Sequence, residues 1–556
     1  MKRKLLKKVA GVVLASTLVM GLVACGNEPA SNKTSESEVK TTESVVANET
    51  ETATQPSEPE KVEITYPLQT DVDLTLWFAS GLGFNAGNGD QIPFTQGLEK
   101  NTGVKVDWQK PVSGSNASQA YNLLLTEAEL PHIIYYDIKP SEAELLISDG
   151  IIYDLTEYMP EYAPDYWEFL TTHESLMRNV KTETGKIYAF NSLDEEAFNA
   201  TYVGPVVRKD WLDECGLQVP VTLEDWEKVL VAFKDKYGVA LGFSVNRFLN
   251  QAGLASGTGA FATMNPTIYV DDNGKIQLAQ AQPEWKEYME VLNRWYDMGL
   301  IDKDSLTMDD AAVRTKVANN EIGISVTAMS QLTLFVNDAE ANSSGAEWVG
   351  IEYPRTAAGE ATSMIQQDIL YLNSKCAVIT TACSEEELIT ALQYLNYGYT
   401  EEGKLYWNFG EEGVSYTMDK DGNPQWTDMI KNSPDGLTKA SKQYSAASSA
   451  GLTIQMASLV KSINSEAAGN AVYEWIENTE AEKHIMPRLA LTEDESAEYS
   501  DIMTAINARV SEMCMKYITG DESLDNFDAY VAELKSMKLD EALKIQQAAY
   551  DRWLNN

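Results

Sequence analysis

Aromatic side chains at the ends of predicted strands are the residues of this chain best suited to ligand chemistry. The chain contains 12 Trp, 27 Tyr and 13 Phe. Rings at predicted strand ends or in loops are Trp77, Phe78, Tyr135, Tyr136, Phe248, Trp407 and Phe409. The C–H face of a pyranose packs on a flat ring, and its hydroxyl groups need paired donors and acceptors. The set favours a sugar site, although the hydrophobic core is the simpler place for each ring alone.

Residues for catalysis are sparse. The chain has three histidines, His132, His173 and His484, and contains neither a His-Glu-x-x-His pair nor a Gly-x-Ser-x-Gly elbow. This pattern disfavours a zinc hydrolase and a Ser-His triad. A glycosidase needs only two carboxylates, and the chain has 84, so composition leaves that reaction open.

Gly81, Gly83 and Ala86 follow a predicted strand with the spacing of a dinucleotide fingerprint. Residues 85–93 do not open a helix at the third small position, so no helix N-terminus would meet a pyrophosphate. We interpret this segment as a loop at the end of a strand, lining a cleft.

Two acidic turns resemble calcium loops, one starting at Asp271 and the other at Asp419. A calcium loop needs an oxygen ligand at its fifth position and glycine at its sixth. Lys275 is fifth in the first turn, and Pro424 is sixth in the second. Asp-Gly and Asn-Gly hairpin turns are the simpler interpretation, and no metal or other cofactor is predicted.

Length and charge exclude other classes. The chain has 556 residues and a net charge of −41, so phosphate backbones would repel it and nucleic-acid binding is disfavoured. Single cores stop growing near about 250–300 residues, so more than one compact unit is expected. No interior apolar run reaches the roughly 18 residues of a membrane span.

The N-terminus has the organisation of a secretory signal. Five basic residues precede the apolar run 9–21, and the sequence Leu-Val-Ala-Cys ends at Cys25. This ending resembles a bacterial lipobox, which implies removal of residues 1–24 and lipidation of Cys25. Residues 25–61 are rich in Ser, Thr and Glu and lack aromatic residues, which predicts a disordered tether.

The remaining cysteines are Cys215, Cys376, Cys383 and Cys514, with no Cys-x-x-Cys spacing. Cys376 and Cys383 flank an apolar run, which favours buried thiols over a bridge. One disulfide is left open.

Strand and helix patterns alternate early in the chain. Strands are predicted at 73–80, 103–109 and 132–137, with helices at 92–101 and 115–130. Such alternation predicts a parallel sheet with ligands beyond the carboxyl ends of the strands.

Local signals mark further elements. Thr222 and Ser384 each open a capping box, and Pro283 stands in the first turn of a helix that ends by Gly299. Hairpins are predicted at 270–276 and 418–426. A helical stretch with few breaks is predicted at 523–553.

Several stretches together resemble a known family. They are LEKNTGVKVDW (98–108), LISDGIIYDLTEYMPEYAPDYWEFL (146–170), GKIYAF (185–190), VVRKDWLDECGLQVPVTLEDWEKVLVAF (206–233), EWKEYMEVLNRWYDMGLIDKD (284–304), WNFGEEGVSYTM (407–418) and ELKSMKLDEALKIQQAAYDRW (533–553). In these the chain resembles the family 1 extracellular solute-binding proteins, the carbohydrate-binding lipoproteins of ABC importers.

The resemblance implies an α/β, two-lobed, periplasmic-binding-protein-like fold of type II, with crossing hinge segments and a ligand cleft between the lobes. Lobe 1 would comprise 62–200 and 350–410, and lobe 2 would comprise 201–349 and 411–556. Hinge closure around the ligand would be the working motion. The implied ligand-binding residues are Trp77, Phe78, Ser80, Gly81, Tyr136, Asp137, Asn191, Glu195, Phe248, Met329, Ser330, Gln331, Trp407 and Asn408. Arg208 joins this set as a cation that could bind a charged ligand group in the cleft.

One departure from the family concerns stacking. Maltodextrin-type relatives place a tryptophan just after the strand that here ends at Thr327, where this chain has Met329, Ser330 and Gln331. The resemblance therefore implies a different sugar, or one held more by hydrogen bonds.

The resemblance implies a non-enzymatic, monomeric lipoprotein, anchored through Cys25 on the extracellular face of the membrane. It would deliver an oligosaccharide to the transmembrane subunits of an ABC permease. Two alternatives stay open. A peptide carrier would use Arg208 and Lys209 as charge clamps, and an exported polysaccharide-degrading enzyme would use two carboxylates in the cleft.

Overall fold

The computed structural model describes residues 63–78, 92–111, 116–196, 201–251, 253–261, 267–357, 359–363, 372–447, 451–476, 479 and 481–555. Internal packing divides the chain into Met1–Glu60 and Lys61–Asn556. The first unit, with the predicted signal, Cys25 and most of the predicted tether, lies outside the described residues.

The strands of the described residues form two main sheets and two hairpins. In chain order they are β1 (Asp73–Phe78), β2 (Lys105–Gln109), β3 (Ile133–Tyr136), β4 (Phe190–Asp194), β5 (Val203–Arg208), β6 (Ala240–Leu241), β7 (Ile268–Val270), β8 (Ile276–Leu278), β9 (Ile322–Ala328), β10 (Trp348–Gly350), β11 (Leu372–Ile379), β12 (Tyr416–Met418), β13 (Pro424–Trp426) and β14 (Ile454–Gln455). The larger sheet has the order β14-β4-β11-β3-β1-β2, and the smaller has the order β10-β5-β9-β6.

Helices cover the faces of these sheets. In chain order they are α1 (Pro93–Thr102), α2 (Ala117–Leu124), α3 (Pro140–Ser148), α4 (Met159–Tyr162), α5 (Pro164–Thr172), α6 (Glu174–Asn179), α7 (Lys209–Cys215), α8 (Leu223–Tyr237), α9 (Pro283–Asp297), α10 (Asp310–Ala318), α11 (Met329–Ala341), α12 (Glu385–Tyr397), α13 (Glu401–Phe409), α14 (Asp428–Lys431), α15 (Leu437–Ser441), α16 (Ala457–Ser462), α17 (Glu466–Ile476), α18 (Glu493–Thr519), α19 (Phe527–Ser536) and α20 (Leu539–Asn555). Shorter helical turns are Asn246–Gln251, Ala255–Thr258, Ala279–Ala281, Lys303–Leu306, Ala481–His484 and Leu524–Asn526.

The parallel arrangement predicted for the first three strands is confirmed. β1 pairs in parallel with both β2 and β3. In β3, Ile133 and Ile134 are fully buried, because side chains on both faces of this strand are covered. The sequence did not reveal that β11, from far along the chain, inserts antiparallel between β3 and β4.

The smaller sheet is built on antiparallel pairing of β5 with β9, in which Val203 lies opposite Ala328 and Val207 opposite Ile324. Helix α17 packs closely on β10 and β5. A Cβ atom placed on Gly350 would stand 2.2 Å from that of Ala471, so this approach requires glycine.

The smaller sheet packs on one hydrophobic core, and the larger sheet packs on two, one on each face. The core of the smaller sheet gathers α8, α9 and α18, with Trp226, Trp285 and Trp295 fully buried. The larger sheet gathers α5 and α12, and also the segment from Tyr416 to Leu459. The chain passes between the cores from β4 to β5, from β10 to β11, and from β14 to α17.

Most local signals are confirmed. The side chains of Thr222 and Ser384 each accept a hydrogen bond from the third residue of the following helix, completing both capping boxes. Pro283 opens α9, and Gly299 follows its end. Helix α2 is shorter than predicted: it ends at Leu124, and residues 125–129 form turns and bends.

Both predicted hairpins are present, as β7–β8 and β12–β13. The C-terminal helical stretch is also present, but it breaks at Lys538, whose backbone is left-handed with φ of 73°. Cys215, Cys376, Cys383 and Cys514 are free thiols. That observation resolves the disulfide question for the described residues.

Candidate functional site

A polar cavity of about 880 Å³ lies between helix α11 and the segment around α15. Ten of its fourteen lining residues carry a hydroxyl, amide or charged side chain. The lining residues are Ser330, Gln331, Thr333, Leu334, Asn337, Asp435, Gly436, Leu437, Thr438, Lys439, Lys442, Ile463, Asn464 and Ser465. Such a surface offers both donors and acceptors to a hydroxylated ligand.

The cavity lies at the carboxyl ends of strands from both sheets. Ser330 and Gln331 stand directly beyond β9, in the first turn of α11. On the other side, the backbone N–H of Phe94 donates to the carbonyl of Gln443 at 3.0 Å. Because α1 follows β1, this bond places the end of α15 beyond the carboxyl end of β1. Ligands of α/β sheets bind at such edges.

A short hydrogen-bond chain holds the far wall of the cavity. The Thr333 hydroxyl donates to the Asn464 side-chain oxygen at 3.1 Å, and the Ser465 N–H donates to the Thr333 hydroxyl at 3.0 Å. The Asn464 side-chain nitrogen donates to the Val460 carbonyl at 2.8 Å. These bonds fix α11 to the turn between α16 and α17.

Aromatic rings gather at the neighbouring strand ends of the larger sheet. Tyr136 stacks on Tyr121 with ring centroids 4.3 Å apart, and Trp77 packs against both rings at 6.4 Å. The Tyr121 hydroxyl donates to Glu142 at 2.8 Å, and burial together with this carboxylate raises the tyrosine pKa. Tyr136 is half-buried, whereas Trp77 is 6 % exposed and belongs chiefly to the core.

Asp137 forms a salt bridge that the sequence did not suggest. Its carboxylate lies 3.3 Å from the Arg488 guanidinium, which belongs to the segment before α18. The backbone N–H of Arg488 also donates to the Asn179 side chain at 3.0 Å. The segment around Arg488 is therefore tied to the carboxyl end of β3.

Asn191 and Glu195 lie on and just beyond β4. Asn191 is 1 % exposed, and its side-chain oxygen accepts a hydrogen bond from Tyr166 at 3.0 Å. Its carbonyl accepts one from Tyr399 at 2.6 Å, so this residue supports the core. Glu195 lies 3.6 Å from the Lys404 ammonium, at the end of the strand.

Arg208 lies away from the cavity. The β5–β9 register puts Arg208 and Met329 at opposite edges of the smaller sheet. The guanidinium is 4 % exposed, donates to Asp210 at 2.8 and 2.5 Å, and donates to Asn320 at 2.7 Å. Arg208 therefore has a structural role and not the predicted ligand-binding one, because a ligand would have to displace these bonds.

Other predicted site residues are core residues. Phe248 is fully buried and stacks on Phe243 at 3.9 Å. Phe78 is also fully buried, and Trp407 is 3 % exposed. Met329 packs in the core of the smaller sheet. These side chains shape the protein beneath the strand ends but do not face the cavity.

Asn408 is likewise fully buried, and its side chain forms hydrogen bonds with the backbone of β14 and of the residue that follows it. The side-chain nitrogen donates to the Ile454 carbonyl at 2.9 Å. Of the predicted site residues, the structure thus brings Ser330 and Gln331 into the cavity, with Tyr136 and Asp137 at a neighbouring strand end. Ser80 and Gly81 lie outside the described residues.

Sequence reasoning missed Lys439, Lys442, Asn464 and Arg488. They occupy stretches without periodicity or a recognisable motif, far along the chain from the strands they approach. The only available signal was the Pro-Asp-Gly turn before α15, which marks a loop without saying what it faces.

The two acidic turns are hairpin turns, as the simpler interpretation predicted. One carboxylate oxygen of Asp271 accepts from the N–H groups of Asn273 and Lys275, and Asp419 does the same for Asp421 and Asn423. Within the described part of the chain, no group of three or more His, Cys, Asp or Glu side chains is arranged to hold a metal. No described helix is long and apolar enough to cross a membrane.

The fold matches solved solute-binding proteins. FusA of Streptococcus pneumoniae in complex with kestose superposes with a TM-score of 0.67 at 18 % identity, covering 87 % of this chain and all of that one. An HMO-binding, ABC-transporter-associated solute-binding protein of Bifidobacterium longum infantis gives 0.69 at 18 %, covering 86 % and 99 %. These matches show the two-lobed α/β fold of type II.

Sequence relatives point the same way. Lipoprotein LipO of Bacillus subtilis is 28 % identical over 367 residues, covering 62 % of this chain and 67 % of its own. In sequence and in fold the chain is similar to extracellular solute-binding proteins of carbohydrate ABC transporters. FusA is 25 % identical over 47 % of this chain and 51 % of its own length. YtcQ of Bacillus subtilis, a polygalacturonan/rhamnogalacturonan-binding protein, is 27 % identical over 37 % and 40 %. No protein-family model matches the chain.

Proposed function

We propose that this protein captures an oligosaccharide in the cavity between α11 and α15 and delivers it to an ABC permease. The observation that carries the proposal is the polar cavity at the carboxyl ends of strands from both sheets. Its volume of about 880 Å³ lies within the roughly 300–1,000 Å³ of small-molecule sites.

The composition of the cavity suits sugar hydroxyl groups. Ser330 and Thr438 supply hydroxyls, and Gln331 and Asn337 supply amides that both donate and accept. Tyr136 offers a half-buried ring at a neighbouring strand end. The names of FusA and YtcQ, which describe oligosaccharide and polysaccharide ligands, support this class of ligand.

Closure of the two sheets around the ligand is part of the proposal. Lobe 1 would contain the larger sheet and lobe 2 the smaller. The packing of Tyr416 and Trp426 with the larger sheet favours a last boundary near residue 460 rather than at 410. The permease would recognise the closed form, whose population rises with ligand.

The proposed location is the extracellular face of the membrane. The basic n-region, the apolar run and Cys25 support lipidation at that cysteine, and residues 25–61 would separate the folded body from the membrane. LipO is itself named a lipoprotein. We propose a monomer whose partner is the permease.

The alternatives have weaker support. The peptide hypothesis used Arg208 and Lys209 as clamps, but Arg208 is buried against Asp210 and Lys209 pairs with Asp213 on the same helix. Solute-binding proteins bind without turnover, so the proposal includes no catalytic step.

Thermal unfolding with an oligosaccharide panel tests the proposal. Bound ligand raises the unfolding free energy by RT ln(1 + [L]/Kd), which is about 2.7 kcal/mol at one hundred times Kd. Gln331→Ala should reduce the shift, and Lys209→Gln, far from the cavity, should not. A panel of acidic and neutral plant, microbial and host oligosaccharides that leaves the midpoint unchanged would contradict the proposal. Shortened oligosaccharide after incubation would instead indicate an enzyme.

A further inference from the structure

The cavity carries positive charge in a strongly negative protein. The whole chain has a net charge of −41. The ionisable side chains that line the cavity are nevertheless Lys439, Lys442 and Asp435, two ammonium groups against one carboxylate. A net positive charge in the cavity of a negatively charged protein favours a negatively charged ligand.

The two lysines are not equivalent. Lys439 lies 2.8 Å from Asp435, one turn away along the chain, so this pair is already neutral. Lys442 is half-buried and makes no salt bridge with any side chain that the structure describes. Its ammonium is therefore the uncompensated charge of the cavity wall.

Further lysines stand along the same edge of the larger sheet. Lys110 directly follows β2, and Lys375 lies opposite Asp137 in the pairing of β11 with β3. Burial lowers the pKa of both lysines, and for Lys375 the nearby Asp137 opposes that effect. An anion bound at this edge would stabilise their charged forms.

We propose that the ligand is an acidic oligosaccharide, and that Lys442 binds the carboxylate of one of its uronate units. This inference rests on the proposed function and names the substrate class of the same site. Hydroxyl and amide groups on Ser330, Gln331 and Asn337 would bind the neutral part of the sugar, while Lys442 selects for charge. A lysine is suited to this task because its ammonium is a compact charge on a flexible stem.

The test is isothermal titration calorimetry on the purified protein. The probes are size-matched oligosaccharides in two sets, acidic ones from polygalacturonate, alginate and hyaluronate and neutral ones from galactan, xylan and inulin. The best acidic probe is then compared with its methyl ester, which has the same sugar without the charge. It is also compared with an oligosaccharide that lacks uronate but carries sulfate esters.

The acid should bind at least about tenfold more tightly than its ester, because a hydrogen bond to a charged group contributes enough for that ratio. Lys442→Gln should remove most of the preference, and Lys442→Arg should retain it. Lys431→Gln, an exposed lysine on α14 away from the cavity lining, is the matched control for net charge. Raising the salt concentration should weaken the binding of the acidic oligosaccharide and leave the affinity for neutral sugars unchanged.

The outcomes separate the two proposals. Equal affinity for acid and ester, or a preference that survives Lys442→Gln, overturns the inference and leaves the proposed function standing. If only the sulfated sugar binds tightly, the site binds an anion other than uronate, and the inference is also overturned. Failure of every oligosaccharide to bind overturns the proposed function itself.

Discussion

The side-chain oxygen of Asn408 accepts a hydrogen bond from the backbone N–H of Met456 at 2.9 Å. Met456 stands between β14 and α16, where the chain leaves the larger sheet for the smaller one. The same side chain donates to the Ile454 carbonyl. One amide group therefore binds the backbone on both sides of Gln455, where the chain crosses from one sheet to the other. The residue predicted to bind ligand thus acts on the backbone of a crossing segment.

Replacing Asn408 should therefore affect stability and spare affinity. Asn408→Ala leaves a buried N–H and a carbonyl without this partner, which should lower the free energy of unfolding by about 2 kcal/mol. Urea denaturation measures the loss, and calorimetry with a bound oligosaccharide should give an unchanged Kd for the folded fraction. Asn432→Ala, on an exposed helix end, serves as the control. A large rise in Kd at full stability would restore Asn408 to the ligand site.

Arg208 should behave in the same way for a different reason. Arg208→Gln removes a buried charge and leaves Asp210 without its cation and Asn320 without this donor, so we expect a loss of about 2–3 kcal/mol in unfolding free energy. Lys209→Gln removes only an exposed pair with Asp213 and should cost less than about 0.5 kcal/mol. Thermal denaturation of both variants, with and without oligosaccharide, makes the comparison. Equal stability of the two variants would contradict the structural role.

Acid stability should depend in part on Glu495. The hydrogen bond from Arg552, at 2.6 Å, lowers the pKa of Glu495 and outweighs the effect of desolvation. A carboxylate with a lowered folded-state pKa stabilises the fold above its unfolded pKa, and this contribution is lost as pH falls through the folded value. Glu495→Gln should then cost up to about 1 kcal/mol at pH 7 and almost nothing at low pH.

The measurement for Glu495 is the unfolding free energy of both proteins as a function of pH. The two curves should begin to approach each other at about pH 4, near the ordinary glutamate value, and meet only below the lowered folded-state pKa of Glu495. Glu498→Gln, an exposed carboxylate on the same helix, should shift the curve by the same small amount at every pH. Parallel curves for Glu495→Gln would show that its bond to Arg552 is not coupled to folding.

The thiols should differ sharply in reactivity. Burial raises the pKa of Cys376 and of Cys383 to about 12, and burial also raises the pKa of Cys514. Cys215 is only partly buried. Because the thiolate is the reactive form, iodoacetamide at pH 8 should label Cys215 in the native protein and the other three only after unfolding. Peptide mass spectrometry identifies each site, and early labelling of Cys376 would contradict its burial.

Sequence patterns predict those features of this fold whose determinants are local. The capping box at Thr222 needs only residues three positions apart, and the parallel pairing of β1 with β2 follows from strand–helix alternation. The insertion of β11 between β3 and β4 depends on contacts between distant segments, which periodicity does not record. The site divides in the same way. Ser330 and Gln331 follow a recognisable strand, whereas Lys442 belongs to a segment that tertiary contacts, such as the Phe94–Gln443 backbone bond, join to α1 from far along the chain.

The interleaving of the two sheets has a consequence for biosynthesis. The larger sheet needs β14, near residue 455, and the core of the smaller sheet needs α18, beyond residue 492. Neither core can be completed before these late segments have been synthesised. Because such contacts join segments far apart in the sequence, the native structure should form late and slowly. A chain that postpones folding in this way stays extended long enough to be threaded through a narrow channel.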